Sequence, residues 1–272
     1  MFDVGIDLAW GQKSPTGLAV AGPQGDLLAA TQVRTDEEIS AWLSPWVGGP
    51  CLVAIDAPIV VPNPGGARDC ERLVGRHFGR FHASCHAANT ANPHFAAGTR
   101  AGRLAAALGL DIDPDSGGDR RASEVYPHPA LVSLFHLPTV LTYKNKPGRD
   151  LAHLRGQMAR LADLLESLTG AEVPFDVASS PDWPRIRATI AGAATKAQLR
   201  RVEDTLDAVV CAYIARYSRL APHAVRVLGT VTDGYILTPV TPDIARAVDR
   251  ERQDHVPRPP APPPARRSGT LR

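Results

Sequence analysis

Five acidic residues stand inside or at the end of apolar segments, where carboxylates are least expected. They are Asp7 in GIDLAW, Asp56 in AIDAP, Glu124 in SEVYPHP, and Asp204 and Asp207 in VEDTLDAVVCAYIA. Acidic residues are disfavoured in strands and are rarely buried without a partner. Each of them therefore needs either a local partner or a partner that several of them share.

Asp204 and Asp207 would lie on the same face of a helix, because residues three apart are neighbours there. Two such carboxylates repel each other and lose hydration on burial unless a cation meets them. For a single acid, backbone donors or an arginine could serve as the partner. For the whole set the arginines would have to be equally buried, so a divalent ion is the simpler explanation.

The residue types indicate which ion this would be. Mg²⁺ and Mn²⁺ prefer carboxylate oxygens, and two ions about 4 Å apart are the apparatus of in-line phosphoryl chemistry. We therefore predict a site for Mg²⁺ or Mn²⁺, with two ions, whose ligands are Asp7, Asp56, Asp204 and Asp207. A water activated by the metal would be the nucleophile.

Basic residues near these acids could contact phosphate groups. Four-residue steps in RDCERLVGRHFGR would form one stripe on a helix, comprising Arg68, Arg72, Arg76 and Arg80. The alternative is a merely solvated face, and two glycines weaken the helix itself. The segment YKNKPGR adds Lys144 and Arg149 on a predicted loop, where a cation could meet a phosphate.

A zinc site is a weaker alternative in the same region. Its candidate ligands crowd one segment: His77, His82, Cys85, His86 and His94. Their spacing fits no structural zinc pattern, so we favour the carboxylate site.

The hydrophobic pattern predicts the elements that must position these residues. Three strands in hairpin succession (2–10, 16–22, 26–34) precede a helix over 35–47, which Thr35 and Glu38 cap, and a buried strand over 51–61. A polar insertion follows at about 62–121. The segment 122–135 predicts a strand that breaks at Pro127 and restarts as a helix. A helix over 149–169, the late helix with Asp207, and a hairpin around Asp233-Gly234 complete the order.

Composition and charge limit the possible functions. The chain has 272 residues, 44% of them hydrophobic and 21% charged, and a formal net charge of +2, as expected for an ordinary globular protein. Any affinity for nucleic acid must therefore come from a local patch. No signal peptide or run of about 18 apolar residues is evident. The four cysteines form no CxxC pair, so we expect a reduced, cytoplasmic protein without membrane contact.

We expect a single domain over 1–254 and a disordered Pro-rich tail over 255–272. A hairpin meander followed by crossovers predicts an α/β fold with a mixed sheet and helices on its faces. Ligands of such sheets bind beyond the strand ends.

Seven motifs carry a family resemblance: GIDLAW, AIDAP, DCERLVG, EVYPHP, YKNKPGR, DTLDAVVCAYIA and DGYILTP. In this order they resemble the motifs of the domain of unknown function 429 family, over about residues 2–240. That family is classed as predicted ribonuclease H-like nucleases, related to the Holliday-junction resolvases. The resemblance implies a ribonuclease H-like mixed five-stranded sheet flanked by helices, with a C-terminal hairpin.

The resemblance also implies roles for the acids. Asp7, on the first strand, would be central to the metal site, and Asp56 would end the fourth strand. Asp204 and Asp207 match the late-helix acids of resolvase-type sites, with Asp207 the better match. Glu124 belongs to the family's own EVYPH motif, so the expected catalytic set is Asp7, Asp56, Glu124 and Asp207.

Three functions follow from these expectations. The leading one is a Mg²⁺- or Mn²⁺-dependent phosphodiester hydrolase, a nuclease, that acts on nucleic acid. The second is a nucleotide-binding protein like actin or the sugar kinases, which would need small or hydroxyl residues after Asp7 rather than Leu8, Ala9 and Trp10. The third is a catalytically silent metal-binding protein of the same fold, because fold alone does not settle function.

Overall fold

A mixed five-stranded sheet forms the centre of the computed structural model, which describes residues 1–255. Its strands are β1 (Phe2–Asp7), β2 (Thr16–Ala21), β3 (Leu27–Val33), β4 (Cys51–Ile55) and β5 (Arg120–Glu124), in the order β3-β2-β1-β4-β5. β1, β2 and β3 pair antiparallel, whereas β4 and β5 run parallel to β1. The predicted α/β fold with a ribonuclease H-like mixed sheet is confirmed.

Helices flank the sheet, and a second, two-stranded sheet lies between the last two helices of residues 1–255. The helices are α1 (Asp36–Val47), α2 (Asp69–Phe78), α3 (Arg100–Ala107), α4 (Pro127–Leu134), α5 (Leu151–Ser167), α6 (Trp183–Gly192), α7 (Lys196–Leu220) and α8 (Pro242–His255). The predicted C-terminal hairpin is confirmed as β6 (Val225–Thr230) and β7 (Gly234–Pro239). None of the helices within residues 1–255 is long and apolar enough to cross a membrane.

The observed ends of the helices and strands show which of them local sequence signals predict and which they do not. The capping box of α1 is confirmed, because Glu38 N donates to Thr35 Oγ1 and Thr35 N donates to Glu38 Oε2. The strand predicted over 51–61 ends at Ile55. Helix α6, which was not predicted, begins Trp183-Pro184, and proline is tolerated in the first turn of a helix.

Helix α7 packs directly on the backbone of β1 and β2. A Cβ atom on Gly5 would come 1.9 Å from the Ala208 carbonyl oxygen, and one on Gly17 would come 1.9 Å from the Asp204 carbonyl oxygen. Only glycine permits so close an approach. Because Gly17 pairs with Asp7 in the sheet, this contact holds the Asp204 end of α7 over the last residue of β1.

Two apolar cores lie on opposite faces of the sheet. One packs Ile39, Leu43 and Leu104 against it. The other and larger core contains Leu161 and Tyr213. Since both faces are covered, ligands can reach the sheet at its ends and along its free edge.

The inserted section carries α2 and α3 and holds the loop that follows β1. Arg100, at the start of α3, donates to the carbonyl oxygens of Ala9 and Arg34, each at 2.8 Å, and to Asp36 Oδ1 at 2.7 Å. The predicted domain limits of 1–254 remain a prediction. The tail was predicted over 255–272; its first residue, His255, is the last residue of α8, and the rest lies outside the described residues.

Candidate carboxylate site

Three carboxylates converge on the ammonium group of Lys144. Its Nζ atom contacts Asp207 Oδ2 directly and lies 3.5 Å from Glu203 Oε1 and 3.9 Å from Asp7 Oδ2. Asp7 ends β1, whereas Glu203 and Asp207 lie on α7. The structure thus brings together residues that are far apart in the sequence, as predicted for Asp7 and Asp207.

Asp207 is the most deeply buried of these acids, with no exposed surface. Its Oδ1 atom accepts a hydrogen bond of 2.5 Å from the buried Tyr143 hydroxyl. Its Oδ2 atom contacts Lys144 but has no partner with hydrogen-bond geometry among the described residues. A buried oxygen of this kind is a ready ligand for a cation.

The loop between α4 and α5 delivers both Tyr143 and Lys144 to the site. Arg149 Nη1 donates to the Lys144 carbonyl oxygen at 2.7 Å, and the backbone amide of Thr142 donates to Gln157 Oε1 at 3.1 Å. Gly148, with φ of +82°, makes the turn between them. Arg149 therefore braces this loop, and Lys144 points at the carboxylates; both were predicted to contact phosphate.

Asp56 and Asp204 complete the acidic group. Burial, together with the charge of Asp207, raises the pKa of Asp56 to about 8. Burial also raises the pKa of Asp204 to about 6. Asp204 Oδ2 accepts a hydrogen bond from Gln32 Nε2 at 3.2 Å, so the site extends from β4 across β1 to β3.

The site holds more acidic than basic groups. Burial raises the pKa of Asp7 well above its ordinary value, which the charge of Lys144 offsets only in part. Burial lowers the pKa of Lys144, but the charges of Asp207 and Asp7 outweigh this and hold that pKa above its ordinary value. One ammonium group therefore faces five acids: Asp7, Asp56, Glu203, Asp204 and Asp207.

Other buried acids have their own arginine partners. Asp3, on β1, accepts two hydrogen bonds from Arg219, at 3.0 and 2.6 Å. Glu124 accepts hydrogen bonds from Arg68, at 2.9 and 2.6 Å, and from the Ile59 amide, at 2.8 Å. These residues show that a buried carboxylate in this protein can be satisfied locally.

This arrangement does not fit two of the predicted roles. Glu124 was expected to be catalytic, but both of its oxygens bind Arg68 in a buried ion pair. Arg68 was expected to contact phosphate, but it is buried and also pairs with Glu71. An ion pair that is closed in this way leaves neither partner for a substrate. The pair instead joins α2 to the end of β5.

Two other arginines of the predicted stripe lie away from the carboxylates. Arg72 pairs with Asp69, and Arg76 pairs with Glu251 on α8. Both arginines line a groove of about 460 Å³ between α2, the β6–β7 hairpin and α8. None of the five site acids lines this groove, so the predicted arginine stripe does not form one basic surface beside the carboxylates.

The sequence analysis missed three residues that the site uses. Glu203 lies four residues before Asp207 on α7, a spacing that could have indicated it. Tyr143 directly precedes Lys144 but carried no signal of its own. His128 packs against the Tyr126 and Tyr143 rings, with centroids 5.3 and 5.7 Å away, and burial lowers its pKa to about 4. His128 therefore packs against Tyr143 as a neutral aromatic ring.

The donor set fits a hard divalent cation, although the side chains need to rearrange. All five acids offer oxygen ligands, as Mg²⁺ and Mn²⁺ prefer, and Asp207 Oδ2 is buried without a hydrogen bond. Within residues 1–255, no three His, Cys, Asp or Glu side chains are already grouped closely enough to hold a metal. Lys144 occupies the position between them, so an ion would have to replace its ammonium group.

Sheet order and site together define an α/β protein with a ribonuclease H-like core and a cluster of carboxylates at the ends of β1 and β4. A family model described as "Protein of unknown function (DUF429)" matches residues 5–229, and the chain belongs to this family. Comparisons with curated proteins and with solved structures found no match.

Proposed function

We propose that the protein is a metal-dependent phosphodiester hydrolase that acts on nucleic acid. The observation that carries the proposal is the excess of carboxylates around Lys144, at the end of the sheet where ligands of α/β proteins bind. Elsewhere in the described residues, buried acids such as Asp3 and Glu124 pair with arginines. The site acids share one lysine instead, and a divalent cation would bind the carboxylate oxygens that the lysine does not contact.

The residues of the site would divide the work. Asp7 and Asp207 would hold the ion, with Asp56 and Asp204 as further ligands. Tyr143 would fix the orientation of Asp207 through its hydrogen bond to Oδ1. When bound, Mg²⁺ or Mn²⁺ supplies an activated water and neutralises charge that develops on the phosphate.

Lys144 would have two positions in this scheme. In the structure its ammonium group neutralises the carboxylates. On metal binding it would be released from Asp207 and could then contact a substrate phosphate, the role predicted from YKNKPGR. We also propose a cytoplasmic location, which the four free cysteines support.

A nuclease panel tests the proposal. Single- and double-stranded DNA and RNA are incubated with Mg²⁺ or Mn²⁺ and with wild type, Asp7→Asn or Asp163→Asn. Outer-shell changes at metal sites cost about 10- to 100-fold, so losing a direct ligand should cost at least about 100-fold. Asp163, exposed on α5, is the matched control and should leave activity unchanged. Equal activity of all three proteins, or none in wild type, would overturn the proposal.

One observation favours a second candidate, a catalytically silent protein of this fold. Lys144 already occupies the position that a cation would take, so the lysine could neutralise the site permanently. In that case neither Mg²⁺ nor Mn²⁺ would change the melting temperature of the wild type. A rise with either metal would exclude this candidate, and the nuclease panel would then separate the hydrolase from a silent metal-binding protein.

A further inference from the structure

Two adjoining grooves run along the free edge of the sheet beside the carboxylate site. They have volumes of about 600 and 380 Å³ and share Gln32 and Arg201. Their walls are the end of edge strand β3, helix α6 and the first three turns of α7. Since they share residues, they form one continuous channel, here called the β3 groove.

The β3 groove is strongly cationic. None of the described residues that line it is acidic. Four exposed arginines line it: Arg34, Arg185, Arg200 and Arg201. Arg185 pairs with Asp182 at 3.2 Å, whereas the other three form no ion pair with a carboxylate within residues 1–255. The whole chain carries only +2, so this is a local concentration of charge.

The β3 groove leads to the carboxylates. Asp7, Gly17 and Gln32 are paired in register and form one row across β1, β2 and β3. Gln32 lines the groove and donates to Asp204, which belongs to the site. Adjacent strands are about 5 Å apart, so the row from Gln32 to Asp7 spans about 10 Å.

A polyanion that approaches an acidic crevice needs positive charge beside it, because the carboxylates repel phosphates. We propose that the β3 groove binds the sugar-phosphate backbone of a nucleic-acid strand and guides it to the carboxylate site. This inference rests on the proposed function for the identity of the strand. The arginines would contact phosphates irrespective of sequence.

The test measures binding under conditions that prevent cleavage. Fluorescence anisotropy of labelled 20-nucleotide single strands, DNA and RNA, is recorded in chelator at several salt concentrations. The variant Arg34→Gln/Arg201→Gln is compared with wild type and with Arg155→Gln/Arg160→Gln, which removes equal charge from the exposed surface of α5. Thermal melts verify that all three proteins are folded.

Loss of two phosphate contacts to a single strand should make the negative slope of log K against log salt shallower by about 1.4, which is about 25-fold in affinity at 0.1 M salt. We expect this loss for the groove variant and little change for the α5 variant. Equal effects of both variants, or no binding by wild type, would overturn the inference.

A second probe, labelled polyglutamate, tests whether the groove binds an acidic polypeptide rather than nucleic acid. If it binds as tightly as the oligonucleotide and is weakened equally by the groove substitutions, the groove recognises acidic polypeptide and the inference fails. A wild type that binds the strand through the groove but cleaves nothing with metal would instead overturn only the hydrolase.

Discussion

Lys144 neutralises a set of acids that the sequence assigns to a metal. Its ammonium group contacts Asp207 and lies within 4 Å of Glu203 and Asp7. The expectation that these carboxylates repel each other without metal therefore needs revision, because a cation is already present. Metal and lysine would compete for the same oxygens.

Lys144→Met should lower the free energy of unfolding in chelator and increase the response to metal. Breaking a fully buried ion pair costs about 3–5 kcal/mol, and we expect about 2 kcal/mol here, because the Lys144 side chain is 27% exposed. Several millimolar Mn²⁺ should then raise the melting temperature of the variant more than that of wild type, since no ammonium group competes.

Lys146→Met provides the matched control, since Lys146 is an exposed lysine of the same loop. It should melt like wild type in both buffers. If Mn²⁺ stabilises Lys144→Met no more than it stabilises wild type, the lysine does not occupy a cation site.

At the scale of elements, two glycines decide where α7 lies. Gly5 and Gly17 let the helix backbone touch β1 and β2, and this contact places the α7 acids at the end of β1. A helix held farther away by ordinary side chains would separate Asp207 from Asp7. The glycines therefore shape the site without taking part in its chemistry.

Gly17→Ala should destabilise the protein by about 3 kcal/mol or more, because the added methyl group would meet the Asp204 backbone at 1.9 Å. Urea unfolding measures the change. Gly49→Ala is the control, since nothing lies within 4 Å of a Cβ there, and it should stay within about 0.5 kcal/mol of wild type. Similar values for both variants would show that α7 does not depend on this contact.

At the scale of the whole molecule, the acidic site makes stability depend on pH. Burial and the charge of Asp207 raise the pKa of Asp56 from 3.8 to about 8. Between these two pH values the folded protein keeps a proton that the unfolded chain has released. The free energy of unfolding contributed by this residue therefore falls as pH rises, and the loss is complete above about pH 8.

Asp56→Asn should remove this dependence. In chelator, its free energy of unfolding relative to wild type should increase from pH 4 to pH 8, by up to about 1.4 kcal/mol per pH unit. Urea unfolding at pH 5, 6, 7 and 8 provides the measurement. Asp163→Asn, at an exposed position, should show no such trend. A difference between Asp56→Asn and wild type that is independent of pH would contradict the raised pKa.

Local signals in the sequence determined most of the elements. Hydrophobic alternation predicted β1, β2 and β3, the capping box of Thr35 and Glu38 predicted the start of α1, and Asp233-Gly234 predicted the turn between β6 and β7. These signals are readable because each depends on neighbouring residues. The acids Asp7, Asp56, Asp204 and Asp207 were noticed for the same reason, since each stands out against its own apolar segment.

Only the tertiary structure decided which partner each acid has. Glu124 and Asp207 are both acidic residues in apolar segments of the sequence. Arg68 pairs with Glu124, whereas Tyr143 and Lys144 contact Asp207. Each of these partners lies more than 50 residues away along the chain. Electrostatic interactions depend on distance in space and on burial, and neither is fixed until α2, α7 and the loop before α5 have packed against the sheet.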